Sequence, residues 1–360
     1  MKQKNVFVYC PGIENVLSGS PQVAGIQVQM SFWAKTFAKH GWKVFSFSNH
    51  NKQIPLESVH FIEKTKLNWL SKLHLEIIQE LWDCLRCLKS NPDLILTRGA
   101  SRCLFFLSNI CRRKKIQLVH FGASDTDFIP GKEIVGGSSL NRRLYQKALH
   151  HIDYFVTQNT EQRVSLWTNY RKKSLVLPNI WIPSKKYASE IKYDAIWIAN
   201  LRPLKRAEWF VELAKHLPKY RFAIVGGPLI KDYYEYIEKN ASYVNNLSLL
   251  GAKSFQEVND LLSKSRLLVC TSEFEGFPNT FLQAWAQSIP VISTVNPSDL
   301  LTTNHLGCYV ENQEELETET FSMLSDEKRY NSFVSSIKHY FLDNHFADKA
   351  FEKLLYYIQQ

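Results

Sequence analysis

Hydrophobic residues recur along the chain with two different spacings. Short runs of β-branched and aromatic residues, of which VFVY at 6–9 is the first, predict buried strands. Between them, apolar residues three and four positions apart predict amphipathic helices, as in the helix that begins at about Ile26 and stops before Gly41. Because strands and helices alternate throughout, the pattern predicts an α/β fold with parallel sheets. The further predicted strands lie at 43–48, 93–97, 117–121, 154–157 and 174–178, and at 195–199, 222–227, 247–251, 266–270 and 290–294.

The alternation is interrupted at 178–192, a segment with two prolines and a run of charges. A chain of 360 residues is long enough for two domains. We therefore predict two Rossmann-like, doubly wound domains that face a cleft, the first at 1–180 and the second at 181–345. A last helix at 346–360 is predicted to cross back to the first domain. In such sheets, ligands bind at the carboxyl ends of the strands.

The composition narrows the class of protein. With 45% hydrophobic and 22% charged residues, the chain is neither disordered nor a disulfide-stapled miniprotein. It has no run of 18 apolar residues and no signal-peptide core, so we expect a cytoplasmic protein. The seven cysteines are irregularly spaced, which predicts reduced and buried thiols. Cys84 and Cys87 form a C-x-x-C pair inside a predicted helix at 71–89, where we expect packing and no metal or redox role.

The positive charge is concentrated in the first half. Residues 1–183 carry 25 Lys and Arg against 12 Asp and Glu, a balance of +13, whereas residues 184–360 carry 19 against 22, a balance of −3. The first half is therefore expected to meet an anionic partner, or else to owe part of its charge to solubility. Candidate partners are a membrane surface, a phosphorylated acceptor and nucleic acid. No nucleic-acid-binding motif is present, so no nucleic acid partner is expected.

The sequence SEFEGFPNTFLQAW at 272–285 carries the densest candidate chemistry. It follows a predicted strand and precedes a predicted helix, for which Asn279 is a natural N-cap. Glu275 lies in the loop and Gln283 about one helical turn later, so both side chains can offer acceptors to hydroxyl groups in one cleft. The free N–H groups of the helix suit an anion or a sugar hydroxyl. The alternative interpretation is a solvated loop followed by an ordinary helix cap.

This segment resembles the signature of the GT-B glycosyltransferases of family 4, in which two glutamates bracket a Gly-Phe-Pro loop. The resemblance implies that Glu275 contacts the donor sugar. The second glutamate, which binds the nucleotide ribose, is replaced by Gln283, which can still form a hydrogen bond but carries no charge. The donor is further expected to lie against Gly276, Phe277, Pro278, Asn279 and Thr280.

A second resemblance lies at 197–214, after the first strand of the second half. The family places an Arg and a Lys here against the donor diphosphate, and Lys205 occupies the lysine position. Asn200 stands at the arginine position, and the nearest arginine is Arg202. Arg206 stands where the family often has glycine, and the alternative for it is a solvated basic turn. The cations would neutralise the charge that grows on the diphosphate as the sugar bond breaks.

Weaker resemblances complete the predicted site. Gly226 and Gly227 match the glycine pair beneath the donor base, where glycine would let the backbone approach the ligand. Gly25 matches the second glycine of the family's Gly-Gly loop, and Ala24 replaces the first. Because alanine disfavours a positive φ, the shape of this loop can differ from that in the family.

The family often has a histidine near the reacting sugar, after the strand that corresponds to 117–121. Here Asp125 or Asp127 is expected to take that place. The alternative is His120, which lies inside the strand and is more naturally a core residue.

The resemblance implies a retaining hexosyltransferase that works without a metal or other cofactor. It would move a sugar from a nucleotide diphosphate to a saccharide or a lipid-pyrophosphate-linked acceptor, in surface polysaccharide or glycolipid assembly. The basic first half would bind the acceptor and an anionic inner membrane surface. Two alternatives remain open: a nucleotide-sugar 2-epimerase of the same fold, and a sugar-binding subunit without activity, which the replacements at 24, 200 and 283 keep open.

Overall fold

A computed structural model describes residues 3–18, 24–48, 59–64, 76–133, 135, 139–182, 190–274 and 277–360. The chain divides into two compact units. Unit 1 consists of Met1–Ile180 together with Ala347–Gln360, and unit 2 of Trp181–Phe346. Each unit is an α/β unit built on one parallel sheet, which confirms the predicted fold class.

Unit 1 has a seven-stranded sheet with the spatial order β3-β2-β1-β4-β5-β6-β7. From β1 the chain builds outward through β2 and β3 and then returns to the other side of β1 to start β4. The direction of winding therefore reverses between β1 and β4, which are paired neighbours. The strands are β1 (Asn5–Tyr9), β2 (Lys43–Ser48), β3 (Val59–Glu63), β4 (Leu94–Arg98), β5 (Gln117–Phe121), β6 (Tyr154–Thr157) and β7 (Leu175–Val176).

The helices of unit 1 include the last helix of the chain, which packs against α2. Phe37 of α2 and Phe351 of the last helix meet edge to face, with ring centroids 4.9 Å apart. Asp348 of the last helix pairs with Lys39 and His40. The pKa of the Asp348 carboxyl is lowered, mainly because it accepts a hydrogen bond from Lys39. The helices are α1 (Ile13–Leu17), α2 (Gly25–Lys39), α3 (Glu76–Arg86), α4 (Cys103–Lys114), α5 (Ser139–Leu149), α6 (Thr160–Tyr170) and α14 (Ala347–Gln359).

Unit 2 has a six-stranded sheet with the order β10-β9-β8-β11-β12-β13, and its winding reverses between β8 and β11. Its strands are β8 (Tyr193–Ile198), β9 (Phe222–Val225), β10 (Leu247–Leu249), β11 (Ser265–Cys270), β12 (Val291–Ser293) and β13 (Gly307–Tyr309). Its helices are α7 (Ala207–His216), α8 (Lys231–Ala241), α9 (Phe255–Leu262), α10 (Asn279–Trp285), α11 (Leu300–Thr303), α12 (Gln313–Ser325) and α13 (Glu327–Asn344).

The structure confirms the eleven predicted strands but adds, among the described residues, two edge strands, β3 and β13, and the short helix α1. The strand predicted at 174–178 is reduced to β7, because Pro178 has no N–H to donate to a ladder. In α14 the buried positions include Phe351 and Ile358, whereas Tyr357 is only half-buried.

The seven cysteines are free thiols, and six of them are buried as predicted, whereas Cys270 is partly exposed. Cys84 and Cys87 are fully buried, and the Cys87 thiol donates a hydrogen bond of 2.8 Å to the carbonyl oxygen of Cys84. In the part of the chain that the structure describes, no helix combines the length and the hydropathy needed to cross a bilayer.

Candidate functional site

The loops that follow β8 and β11 are bound to each other at the point where the sheet of unit 2 reverses its winding. The indole Nε1 of Trp197 donates to Thr271 Oγ1 at 2.9 Å, and that hydroxyl lies 2.8 and 2.9 Å from the carbonyl oxygens of Lys205 and Arg206. The backbone N–H of Glu273 also donates to a carbonyl of the β8 loop, at 2.9 Å. Ligands of doubly wound sheets bind at such a reversal, so these two loops frame the candidate site.

The loop after β8 carries the two predicted cations, Arg202 and Lys205. Lys205 ends a short 3-10 turn that begins after Arg202, and its side chain is largely buried, with the residue 8% exposed. The Nε of Arg202 is buried and has no hydrogen-bond partner among the described residues. A buried, unsatisfied guanidinium N–H is costly unless a ligand accepts from it. Asn200, at the arginine position of the family, is exposed at the end of β8.

Arg206 is not a solvated turn residue, in contrast to the alternative that the sequence offered. Its φ of 47° lies in the left-handed region, which accounts for the glycine that the resembling family has there. Its guanidinium donates to the carbonyl oxygens of Thr271 and Ser272 at 2.7 and 3.3 Å and stacks over Trp209, with 4.2 Å between the guanidinium carbon and the ring centroid. Arg206 therefore connects the loop after β8 to the loop after β11.

Gly226 and Gly227 follow β9 and are both buried. A Cβ at Gly226 would lie 1.8 Å from the carbonyl oxygen of Ala199, and one at Gly227 would lie 3.0 Å from the Cβ of Ala252. The contact of Gly226 with the donor base stays a prediction, but the structure gives a separate reason for a glycine at this position. Its missing side chain admits the backbone of the β8 loop, which is the loop that carries Lys205.

The loop before α10 is only partly visible, because Glu275 and Gly276 lie outside the described residues. The predicted cap is wrong: Pro278, with extended backbone angles, is the N-cap, and Asn279 is the first helical residue. The side-chain oxygen of Asn279 is buried and finds no hydrogen-bond partner in the described chain. Pro278 is buried, and Phe277 and Thr280 are half-buried.

Gln283 lies on α10 and is 6% exposed. No described residue forms a hydrogen bond with its amide, so the amide is available to a ligand. Phe277 packs edge to face on Trp285 of the same helix, with ring centroids 6.1 Å apart, which anchors the end of the loop.

The loop before α2 in unit 1 does not need a positive φ at either of its predicted positions. Ala24 has φ −86° and ψ 150°, and Gly25 is the first residue of α2. The Ala24 N–H donates to the side chain of Gln27 at 3.0 Å, and that side chain donates in turn to the carbonyl oxygen of Pro11 at 3.2 Å. The alanine is therefore accommodated without strain.

His120 lies in the core of unit 1. Its Nδ1 is 3.0 Å from Thr97 Oγ1, its Nε2 is 3.3 Å from Tyr145 Oη, and the residue is fully buried. Burial, followed by the charge of Arg98, lowers the pKa of His120 to about 3, so the ring is neutral. This geometry is that of a satisfied core residue.

The two predicted aspartates differ in their surroundings. The carboxylate of Asp127 is buried and accepts from the N–H groups of Ala123 and Ser124 at 2.7 and 3.1 Å, so it holds its own loop. Asp125 is exposed, and its Oδ1 accepts from Asn159 and Gln162 at 3.0 and 3.1 Å. Of the pair, Asp125 is the one that solvent can reach.

The sequence of unit 2 matches a known family. Residues 192–326 match the family described as Glycosyl transferases group 1. This part of the chain is therefore similar in sequence to the group 1 glycosyl transferases. An uncharacterized glycosyltransferase of Methanocaldococcus jannaschii is 23% identical over 265 residues, which cover 65% of this chain and 63% of the relative.

Solved structures with the same fold span both units. Sucrose-phosphate synthase from Thermosynechococcus elongatus superposes with a TM-score of 0.69 at 13% identity, covering 99% of each chain. The pneumococcal O-GlcNAc transferase in complex with UDP and GlcNAc gives 0.68 at 11% identity, covering 100% of this chain and 99% of the other. The two units thus have the Rossmann-like α/β architecture of GT-B glycosyltransferases.

Sequence reasoning missed two residues that build the candidate site of unit 2. Trp197 and Thr271 had no role in the predicted site, although their hydrogen bond joins its two loops. The available signal was the position of Thr271 directly after a predicted strand, where polar side chains gather in doubly wound sheets.

Proposed function

We propose that the chain is a glycosyltransferase that takes its sugar from a nucleotide diphosphate donor. The observation that carries the proposal is the buried, unpartnered Nε of Arg202 beside Lys205, at the winding reversal of the unit that resembles group 1 glycosyl transferases. A diphosphate supplies the oxygens that such a guanidinium requires, and Arg with Lys suits its double charge. The buried oxygen of Asn279 and the amide of Gln283 are further groups for donor hydroxyls.

In the proposed reaction, the bond between the anomeric carbon and the leaving phosphate oxygen breaks, and a bond to the acceptor oxygen forms on the same face of the sugar. The proton of the acceptor hydroxyl passes to the leaving phosphate. Lys205 and Arg202 stabilise the charge that develops on the diphosphate, so no metal is required in this scheme. Glu275 is proposed to orient the donor sugar, and the anomeric configuration is retained.

The proposed acceptor is a saccharide or a lipid-pyrophosphate-linked saccharide, used in surface polysaccharide or glycolipid assembly and bound by unit 1. The balance of +13 over residues 1–183 suits an anionic acceptor and an anionic membrane surface. Asp125, as the exposed carboxylate after β5, is the proposed group of unit 1 nearest the transferred sugar. The proposed location is the cytoplasm and the inner face of the membrane.

Helix α3 is the proposed membrane-facing element of unit 1. Two of its acidic groups lie away from the exposed apolar face: Glu80 pairs with Arg102, with a contact of 2.9 Å, and Asp83 is buried. Its outer face is apolar, and we call it the α3 stripe, formed by Ile78, Leu81, Trp82 and Leu85, which are 47, 37, 52 and 43% exposed. Positions three, four and seven apart lie on one helical face, and an exposed stripe of this kind with Trp suits the headgroup region of an anionic bilayer.

A thermal-shift panel with UDP, GDP, ADP, TDP and CMP tests the donor proposal. A nucleotide at 100 times its dissociation constant should add about 2.7 kcal/mol to the stability of the folded protein, whether or not EDTA is present. Hydrolysis of the matching sugar nucleotide should follow, and an acceptor should accelerate loss of the donor. Turnover to an epimeric sugar nucleotide without acceptor would favour the epimerase. Binding without any turnover would favour the inactive subunit, and no shift with any nucleotide would contradict the proposal.

A further inference from the structure

A cavity of about 250 Å³ lies inside unit 1, at the carboxyl ends of β1 and β4. These two strands are the neighbours between which the winding of the sheet reverses, so the cavity occupies the ligand position of a doubly wound sheet. Gly99, with φ 77°, follows β4, and a Cβ there would lie 3.2 Å from Ile26 and 3.3 Å from Ala123. The glycine therefore lets the chain turn tightly where the cavity opens.

Among the described residues that line this cavity, Arg98 is the only Lys or Arg. Its Nη2 donates to Asn179 Oδ1 at 2.6 Å, while its Nε is buried and has no hydrogen-bond partner in the described chain. None of the carboxylates in the described ranges forms an ion pair with it. The carboxylate of Asp127 interacts electrostatically with Arg98 but is not within ion-pair distance of it. The two hydrogen bonds that this carboxylate accepts come from backbone N–H groups of its own loop.

The charge of Arg98 is therefore largely uncompensated. Burial lowers its pKa to about 10, so the guanidinium remains protonated at neutral pH. The Cys10 thiol beside it is neutral at this pH and offers no negative charge, because burial raises its pKa to about 12. A largely desolvated charge without an opposite charge beside it is unfavourable, and a ligand can supply that opposite charge.

The rest of the cavity wall is mostly apolar. Ile26 lies at the start of α2 and is 38% exposed, whereas Leu104 and Leu107 of α4 are buried. Gln27 is the neighbouring amide, already bonded to Ala24 and Pro11. A ligand that fills this space must combine an anionic group for the guanidinium with an apolar part for the wall.

We propose that this cavity binds the acceptor through an oxyanion, a phosphate monoester or diester or a carboxylate, held by Arg98, with an adjoining apolar group against Ile26, Leu104 and Leu107. This inference rests on the proposed function, because the chain has an acceptor only if it transfers a sugar. It adds the chemical class to which that acceptor belongs. The planar fork of an arginine matches two oxygens of such a group. A neutral oligosaccharide would leave the charge of Arg98 uncompensated.

The test is a calorimetric titration of the full chain with hexyl phosphate, hexanoate, hexanol and inorganic phosphate. Hexyl phosphate or hexanoate should bind at least about tenfold more tightly than hexanol, and more tightly than inorganic phosphate. Arg98→Gln should weaken the tighter anion by about 10- to 100-fold, since it removes a hydrogen bond to a charged group. Arg98→Lys should fall between, because it keeps the charge and loses the fork.

The matched control is Arg163→Gln, which changes an exposed arginine of α6 in the same unit and should bind hexyl phosphate like the unchanged chain. Ile26→Ser should weaken hexyl phosphate and leave inorganic phosphate unchanged. Equal affinity of Arg98→Gln and the unchanged chain would overturn the proposal, as would equal binding of hexanol and both anions. If Arg98→Gln does not fold, the affinities of Arg98→Lys and Arg163→Gln for the tighter anion are compared instead, and equal affinities would overturn the proposal. The titration contains no nucleotide, so its result is independent of the thermal-shift panel. Failure of this proposal can therefore be distinguished from failure of the donor proposal.

Discussion

Trp197 near the end of β8 and Thr271 directly after β11 are joined by a buried hydrogen bond of 2.9 Å from the indole N–H to the hydroxyl. Thr271 is also the residue whose hydroxyl reaches the carbonyl oxygens of Lys205 and Arg206. One side chain thus fixes the loop that carries the proposed diphosphate cations relative to the loop that leads to α10.

Thr271→Val should therefore weaken both stability and donor binding. The substitution keeps the shape of the side chain and leaves the Trp197 N–H buried without an acceptor. We expect a loss of about 1–3 kcal/mol in the free energy of unfolding, measured by urea denaturation, and a weaker nucleotide shift. Thr318→Val, at an exposed position of α12, is the control and should change neither. A Thr271→Val protein as stable as the control would contradict the role of this bond.

Lys205→Met should reduce turnover of the sugar nucleotide by about 100-fold or more, because it removes a positive charge from the leaving diphosphate. Arg202→Gln should cause a loss of about tenfold or more through its buried N–H. Initial rates of donor hydrolysis, with the nucleotide chosen from the thermal-shift panel, provide the measurement. Lys219→Met, which changes an exposed lysine of unit 2, should keep the full rate. Unchanged turnover in both variants would rule out this pair of cations as the diphosphate site.

Gly226→Ala should destabilise unit 2 more than Gly251→Ala. The first variant places a methyl group against the carbonyl oxygen of Ala199, where the Cβ would lie at 1.8 Å, so the β8 loop must move at a cost of about 1–3 kcal/mol or more. The second meets no atom within 4 Å and is limited to the strain of a φ of 69°, about 1 kcal/mol. Melting temperatures of the two proteins provide the comparison. The reverse order would show that the close approach at Gly226 is relieved without cost.

The fold could be predicted from the sequence because its central strands are continuous apolar runs. VFVY and RLLVC needed no tertiary information, since residues buried on both faces of a parallel sheet must be hydrophobic throughout. The edge strands β3 and β13 were missed because an edge strand is short and half-exposed. VHFIE has polar residues at its second and last positions, so it does not stand out from a loop.

The candidate site was less predictable, because its details depend on backbone geometry. The sequence alone does not indicate that Arg206 has a left-handed φ. Only the structure shows that its side chain binds carbonyl oxygens instead of solvent. The helix start at Asn279 shifted by one residue because Pro278, in the extended region, took the cap position. Arg98 appeared in the sequence only as one basic residue among many, since burial without an ion pair is a property of the folded chain.

His120 should make the stability of unit 1 depend on pH below about 6.5. Its pKa falls from 6.5 to about 3 on folding, so between these values the unfolded chain binds a proton that the folded chain excludes. Stability from this group is therefore complete above pH 6.5 and falls as the pH drops, by at most about 1.4 kcal/mol per pH unit. Asp127, whose pKa is raised by burial, acts in the opposite direction.

The measurement is urea denaturation between pH 5 and 8 for the unchanged chain and for His120→Gln. The variant should lose this part of the pH slope, whatever its absolute stability, while His339→Gln at an exposed position of α13 should retain it. Equal slopes for all three proteins would mean that His120 is protonated in the folded chain or takes up no proton on unfolding.

Trp82→Glu with Leu85→Glu should abolish binding of the chain to vesicles of phosphatidylglycerol. The α3 stripe would bury apolar area among the headgroups, at about 25 cal/mol per Å², and the basic residues of unit 1 would add about 1 kcal/mol each near the surface. Cosedimentation should show binding of the unchanged chain, weaker binding at high salt and none to phosphatidylcholine vesicles. Val164→Glu, which changes a 55% exposed apolar residue of α6, is the control and should bind normally. Equal sedimentation of the double variant and this control would exclude the α3 stripe as the contact surface, and failure of the unchanged chain to bind would exclude the membrane itself.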